Sequence, residues 1–164
     1  MSYIFIIIHE KLSNFHGILV SDFYTAHDSI SCPQQKCLIR LIRDINDDIL
    51  KNPFDDEMKE IGKDFTMTLS PIIEIIEKYE LKRRHLQKHK NQVLAFFNKV
   101  QQKEYVSALA TNFQQRFSKY NGKLFTFLDH DGIPWNNNNA EHAIKRFVQL
   151  RKAIGGSSTA KGIQ

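Results

Sequence analysis

Cysteine is scarce in this sequence, and the patterns that build zinc sites are missing from it. The 164 residues include two cysteines, Cys32 and Cys37. They contain neither a CxxC pair nor an HExxH motif, so a zinc finger or zinc hydrolase has no support. No secretory leader pattern precedes the pair, and we expect reduced thiols in a cytoplasmic protein rather than a disulfide. A nucleophile built from Cys37 and a histidine stays open, but a buried core cysteine is favoured.

Long hydrophobic runs and a phosphate-binding glycine loop are also missing. The apolar run Tyr3–Ile8 is far too short to span a bilayer, and no small-residue cleavage site follows it. We expect it to form a buried strand, with no membrane partner. No GxxxxGK[ST] motif occurs, which argues against a P-loop nucleotide site.

The charge balance is mildly basic. Lys and Arg number 23 against 18 Asp and Glu, a net charge of +5, and the sequence pI is about 9.2. This balance permits contacts with phosphate without requiring them. The segment Lys82–Lys90 concentrates Lys, Arg and His, and either a contact with the nucleic-acid backbone or a solvated face explains it.

The apolar residues predict strands first and helices afterwards. Gly17–Val20 is a second run typical of a buried strand. Asn52-Pro53 should stop the first helix, Ser70-Pro71 should cap the second, and Asn121-Gly122 should end the fourth. The helical stripes are Leu38, Leu41, Ile42, Ile45 and Ile49; Ile72, Ile75, Ile76 and Tyr79, continued by Lys82–Lys90; Val93, Phe96, Phe97 and Val100; and Val106, Leu109, Ala110, Phe113, Phe117 and Tyr120.

Two acids occupy positions where α/β proteins place their chemistry. Asp22 directly follows the strand Gly17–Val20, outside its carboxyl end. Glu141 lies near the start of a predicted helix, off its apolar stripe, and an Asn run precedes it. Judged by position alone, a turn or N-cap role is favoured for Asp22, and a first-turn carboxylate paired with Lys145 is favoured for Glu141.

The chemistry that such acids support is metal-assisted phosphoryl transfer. Two magnesium ions can activate a hydroxyl, stabilise the leaving oxygen and neutralise the charge on the phosphate. Mg²⁺ takes hard oxygen ligands and usually only one or two carboxylates. Asp22 and Glu141 can meet only if the intervening helices fold out as an insert.

Three blocks of the sequence resemble the transposases of the insertion sequence sixty-six family. They are GILVSDFYTAHDSI, QQKCLIRLIRDINDDI and LFTFLDHDGIPWNNNNAEHAIKRFVQLRK, in the family's order. The resemblance implies an α/β, RNase H-like catalytic core with an α-helical insert between the second Asp and the Glu of a DDE triad. It assigns Asp22 and Glu141 as the catalytic, metal-binding pair, with Mg²⁺ or Mn²⁺ as cofactor. The DNA-binding residues it implies are Asn137, Asn138, Asn139, Lys145, Arg146, Arg151 and Lys152.

The sequence departs from the family pattern at two places. The family's first catalytic Asp belongs to an early strand, whereas Glu10 is the one acid that precedes Asp22 here. The family's Cys-x-x-His block reads Cys37-Leu38-Ile39-Arg40. We therefore expect an incomplete core in a truncated chain, inactive alone, and whether it is an enzyme stays open.

The expected organisation follows from these blocks. The boundaries are 1–35 for the remnant of the sheet with Asp22, 36–123 for the helical part, 124–154 for the loop and helix with Glu141, and 155–164 for a flexible tail. The expected partners are transposon-end and target DNA, with a homo-oligomer as a further option. The alternative is a non-catalytic DNA-binding or interaction module derived from a transposase.

Overall fold

The computed structural model describes residues 15–137, 149, 150 and 152–154. This part is mostly helical, with a small parallel sheet, and is therefore compatible with an α/β class. The predicted strand Tyr3–Ile8 and the predicted tail 155–164 lie outside it. Its strands are β1 (Leu19–Ser21) and β2 (Gln34–Lys36), and its α-helices are α1 (Leu38–Lys51), α2 (Asp56–Tyr79), α3 (Arg83–Leu86), α4 (Lys90–Gln102) and α5 (Ala108–Leu124).

The two strands pair in parallel, with Leu19 opposite Gln34 and Ser21 opposite Lys36. The strand predicted at Gly17–Val20 is present but shifted. The prediction of a buried strand was wrong for Leu19 and Val20, which are only half-buried. β2 was not predicted, because its sequence Gln-Gln-Lys has no apolar residue. All three of its side chains are nevertheless buried.

Hydrogen bonds with other parts of the chain satisfy the buried polar side chains of β2. The side-chain amide of Gln34 donates to the His27 carbonyl at 2.7 Å. That of Gln35 donates to the Leu124 carbonyl at 2.7 Å and accepts from the Phe127 amide at 3.0 Å. Buried amide groups need such partners, since an unsatisfied one costs about 1–3 kcal/mol. Polar contacts therefore fix β2 against the C-terminal end of α5.

Helix α1 confirms the first predicted stripe, and all five of its apolar residues are buried. It ends at Lys51, and the amide of Asn52 donates to the Asp48 carbonyl at 3.0 Å. Pro53 follows directly and cannot continue the helical hydrogen bonding. The predicted stop at Asn52-Pro53 is confirmed.

Helix α2 contradicts the predicted helix start at Ser70-Pro71, because it runs through Pro71 without a break. The true N-cap is Asp55, whose carboxylate accepts from the Met58 amide at 2.9 Å. Pro71 has no amide hydrogen to donate to the Met67 carbonyl one turn earlier. The side-chain amide of Gln92, on α4, donates to that carbonyl at 3.2 Å instead. A neighbouring helix thus supplies the donor that the proline lacks.

The basic segment was predicted to continue α2. It forms a separate turn instead. Helix α2 ends at Tyr79, and Glu80 has a positive φ of 60°. The chain changes direction there and forms α3, followed by a short 3-10 helix, Gln87–His89. Leu86 is fully buried and anchors this turn to the core.

Helices α4 and α5 confirm the remaining stripes, with two corrections at the ends of α5. Val106 is 96% exposed and precedes the helix, because Ser107 is its N-cap. The predicted C-cap at Asn121-Gly122 was wrong, since the helix continues to Leu124. The amide of Gln35 binds the Leu124 carbonyl, and this bond satisfies an acceptor in the last turn.

Phenylalanine rings fill the centre of the helical part. Phe65, Phe96 and Phe117 come from α2, α4 and α5, with ring centroids 5.0–5.8 Å apart. Such tilted and edge-on pairs contribute about 0.5–1.5 kcal/mol each beyond their buried area. Among the described residues no helix is long and apolar enough to cross a membrane.

The described C-terminal residues return to this core. Leu150 is fully buried, and a Cβ built on Gly62 would lie 3.2 Å from Ile154 and 2.8 Å from Ile49. Gly62 therefore permits α2 to approach both α1 and the C-terminal segment closely.

Candidate catalytic edge of the sheet

Asp22 lies at the carboxyl end of β1, as the sequence predicts. One oxygen of its carboxylate, Oδ1, accepts from the Tyr24 amide at 3.0 Å and lies 3.5 Å from His27 Nδ1. The side chain is 53% exposed. The turn-capping interpretation of Asp22 is thus confirmed, and the capped carboxylate is still accessible to solvent.

The parallel pairing places the ends of both strands side by side. The amide of Cys37 donates to the Ser21 carbonyl at 2.7 Å, so α1 begins directly beside Asp22. The ammonium group of Lys36 lies inside this edge, donating to Ser21 Oγ at 3.2 Å. Its side chain is fully buried and pairs with Asp28 Oδ1 at 3.1 Å. A buried lysine is rare unless it is paired, and the sequence did not single out this one.

Asp28 joins the strand edge to helix α5. Its Oδ2 pairs with the Lys119 ammonium at 2.9 Å and accepts from the Tyr120 hydroxyl at 2.9 Å. Burial raises the pKa of Asp28, but the hydrogen bonds from Lys119, Tyr120 and Lys36 outweigh it and lower the pKa to about 2. Burial lowers the pKa of Lys36, although Asp28 opposes the shift. Two ammonium groups thus share one carboxylate beside Asp22.

The loop with the Asn run reaches the same edge. The amide of Leu38, the first residue of α1, donates to the Trp135 carbonyl at 2.9 Å. Trp135 and Asn136 are buried, and Asn137 is exposed. The backbone contacts Ser21–Cys37 and Leu38–Trp135 therefore bring the residue before Asp22 and the start of the Asn run to one end of the sheet.

Of the other predicted site residues, Asn137 and Lys152 belong to the described part of the chain. Glu141, Asn138, Asn139, Lys145, Arg146 and Arg151 lie outside the described residues. Lys152 is exposed, and it lies between Leu150 and Ile154, the residues that return to the core. In the part of the chain that the structure describes, no group of three or more His, Cys, Asp or Glu side chains could hold a metal ion.

The cysteine block has a structural role in the described residues. Cys32 and Cys37 are both free, and Cys37 is buried, which agrees with the expectation of reduced thiols. At the position of the family's histidine, Arg40 pairs with Asp44 at 3.2 Å.

Asp44 links this block to α5 and to the residue after Asp22. It also pairs with Arg116 at 2.8 Å, and the Arg116 guanidinium lies 4.0 Å from the centroid of the Phe23 ring. Stacking of this kind suits the planar guanidinium group. Phe23 is in turn in edge contact with Tyr120 at 5.1 Å, so the loop after β1 is held from both sides.

The chain was compared with protein-family models, curated proteins and solved structures. A family model described as "Transposase IS66 family" matches residues 6–164. No curated protein matches significantly, and neither does any solved structure.

Proposed function

The chain belongs to the IS66 family of transposases, and on that premise we propose that Asp22 and Glu141 are two metal-binding carboxylates of a DNA cleavage and strand-transfer site. The observation that carries the proposal is the common edge described above. It brings the end of β1 and the start of the Asn run together. Glu141 is five residues after Asn136. Five fully extended residues span at most about 18 Å. Glu141 is therefore within reach of the edge that carries Asp22.

The chemistry of Asp22 suits a magnesium ion. Asp22 offers an exposed carboxylate of the hard-oxygen type that Mg²⁺ or Mn²⁺ prefers. The capping bond from the Tyr24 amide fixes its orientation. When bound, the metal ions would supply charge neutralisation and activation of the attacking hydroxyl. The RNase H-like character of the sheet is part of this proposal.

The surrounding side chains have roles of their own in the proposed reaction. Lys119 is half-exposed and is placed to attract the phosphodiester of the bound DNA strand. Buried Lys36 holds Asp28 and Ser21 in place, and so acts as a positioning residue for the loop that begins with Asp22. We expect Asn137, which is exposed, to contact the sugar-phosphate backbone.

Metal titration of isosteric variants tests this function. Asp22→Asn keeps an oxygen to accept from the Tyr24 amide and removes only the charge. Glu141→Gln is the equivalent change in the second acid. We expect each variant to bind Mn²⁺ at least tenfold more weakly, as measured by calorimetry. If the wild type shows Mn²⁺-dependent nicking of plasmid DNA, each variant should lose it. Glu104→Gln, at an exposed acid away from the edge, is the matched control. Equal Mn²⁺ affinity in all four proteins would contradict the assignment.

A second candidate function is a non-catalytic DNA-binding module. It is favoured by the exposed basic turn around α3 and by the lack of a three-ligand metal cluster in the described residues. Such a module binds DNA equally well in EDTA and in Mg²⁺, whereas a metal-dependent strand-transfer site binds its DNA more tightly with the metal.

A further inference from the structure

A basic corner formed by Lys82, Arg83, Arg84, Lys88 and Lys90 projects from the helical part, and all five residues are exposed. Two features of the backbone hold it in place. The positive φ of Glu80 ends α2 and turns the chain, and buried Leu86 fixes α3 to the core. The corner is thus a fixed part of the surface.

The acids near this corner leave most of its charge uncompensated. Lys90 pairs with Asp129 at 2.9 Å. Asp131 uses Oδ1 to accept from the backbone amide of Arg83 at 2.8 Å. Among the described residues, Lys82, Arg84 and Lys88 have no carboxylate within ion-pair distance.

An open pocket of about 450 Å³ lies within the basic corner. Its lining is Lys82, Arg83, Arg84, Gln87 and Asp131. Arginine side chains suit phosphate oxygens, which they bind with two parallel N–H groups. The pocket therefore matches a phosphate group chemically, and the flanking lysines extend the same charge along the surface.

The corner is connected to the loop that leads to the Asn run. The amide of Gly132 donates to the Leu81 carbonyl at 2.8 Å, and three residues later Trp135 is bonded to the start of α1 at the strand edge. Three residues span at most about 11 Å, which corresponds to about three base-pair steps along duplex DNA. DNA engaged at the strand edge therefore passes close to the corner.

We propose that the basic corner binds the phosphate backbone of double-stranded DNA as a second contact beside the strand edge. This inference rests on the proposed function, because that function supplies the DNA. It extends the function to a surface of the helical insert. Backbone contacts of this kind position a duplex without reading its sequence.

The test compares the salt dependence of DNA binding between two triple variants. Lys82→Gln/Arg84→Gln/Lys88→Gln removes the three uncompensated charges and leaves Arg83 and Lys90 in place. Each phosphate contact contributes about 0.9 to the slope of log K against log salt. The slope should therefore fall by about 2.7, and the affinity ratio to wild type should change about 40-fold between 50 and 200 mM salt.

Lys51→Gln/Lys59→Gln/Lys63→Gln is the matched control. It removes the same formal charge from α1 and the first half of α2, where Lys59 pairs with Asp56 at 3.6 Å. Lys59 and Lys63 lie about 24 Å or more along the helix axis from the end of α2. Its slope should stay at the wild-type value. The probe is a fluorescent random-sequence duplex of 30 base pairs, and thermal melts confirm that both variants are folded.

Three results would overturn the inference. Equal slopes for the two triple variants would mean that only the overall charge matters. A lack of DNA binding by the wild type would remove the partner altogether. Loss of binding to phosphatidylserine vesicles in the corner variant, with DNA binding unchanged, would assign the corner to a membrane surface. The Mn²⁺ titration at Asp22 and Glu141 does not depend on these results, so the two proposals can fail separately.

Discussion

Breaking the ion pair between Asp28 and Lys36 from either side should have unequal effects on stability. Asp28→Asn leaves Lys36, which is fully buried, without its carboxylate. Lys36→Met removes the buried charge, and Asp28 keeps Lys119 and Tyr120 as partners. A buried charge that loses its partner typically costs about 3–5 kcal/mol, whereas an apolar replacement of similar volume is often neutral. Asp28→Asn should therefore be the more harmful change.

The pKa of Asp28 gives part of the magnitude and the pH dependence. Its value in the folded protein is about 2, against an ordinary value of 3.8, which corresponds to about 2 kcal/mol of stability near neutral pH. Because the pKa is lowered by folding, this contribution is complete above about pH 5 and is lost as the pH falls towards 2. About 1 kcal/mol of it should be lost by pH 3.

Urea unfolding at pH 7 and pH 3 measures these effects. We expect Asp28→Asn to lower the free energy of unfolding by about 3 kcal/mol at pH 7, and Lys36→Met by about 1 kcal/mol or less. The double variant should be more stable than Asp28→Asn alone, because it has no buried unpaired charge. A larger loss of stability in Lys36→Met than in Asp28→Asn would contradict this prediction, and so would an effect of Asp28→Asn that is the same at both pH values.

Two further predictions concern helix α2. Pro71→Ala restores an amide donor for the Met67 carbonyl, so it should stabilise the protein by about 1 kcal/mol in thermal melts. Gln92→Ala should then lower the stability less in the Pro71→Ala background than in the wild type. An equal loss of stability in both backgrounds would contradict the idea that Gln92 replaces the missing donor. Gly62→Val inserts a side chain where a Cβ alone would meet Ile49 at 2.8 Å, so it should lower the free energy of unfolding by about 1–3 kcal/mol, and an unchanged melting temperature would show that the neighbouring segments do not pack there.

Periodicity predicted the helices well where a helix has one apolar face. The stripe of α1 and the four residues Val93, Phe96, Phe97 and Val100 of α4 are all buried, because a helix can bury only the residues that recur on one side. The end signals were less reliable. Ser70-Pro71 has the pattern of a helix start. Pro71 nevertheless lies inside α2, where the side-chain amide of Gln92 donates to the Met67 carbonyl that the proline leaves without a partner.

The candidate site could be predicted only in part. The position of Asp22 after a strand is a local pattern, and the structure confirms it. Lys36 and Asp28 gave no local signal, because a lysine and an aspartate are ordinary in any sequence and their pairing depends on how β2 packs against α5. The role of Glu141 stays a prediction.

The burial of β2 by partners about 90 residues away has a consequence for the order in which the protein assembles. Gln35 binds Leu124 and Phe127, and the hydroxyl of Thr126 donates to the Gln34 carbonyl at 2.6 Å. Contacts between distant residues form late, because the chain between them must first lose its freedom. A growing polypeptide cannot complete these bonds until residue 127 has been synthesised. The packing of β2 against α5 can therefore be completed only after α5 has been synthesised, whereas the contacts of Asp22 with Tyr24 and His27 are local.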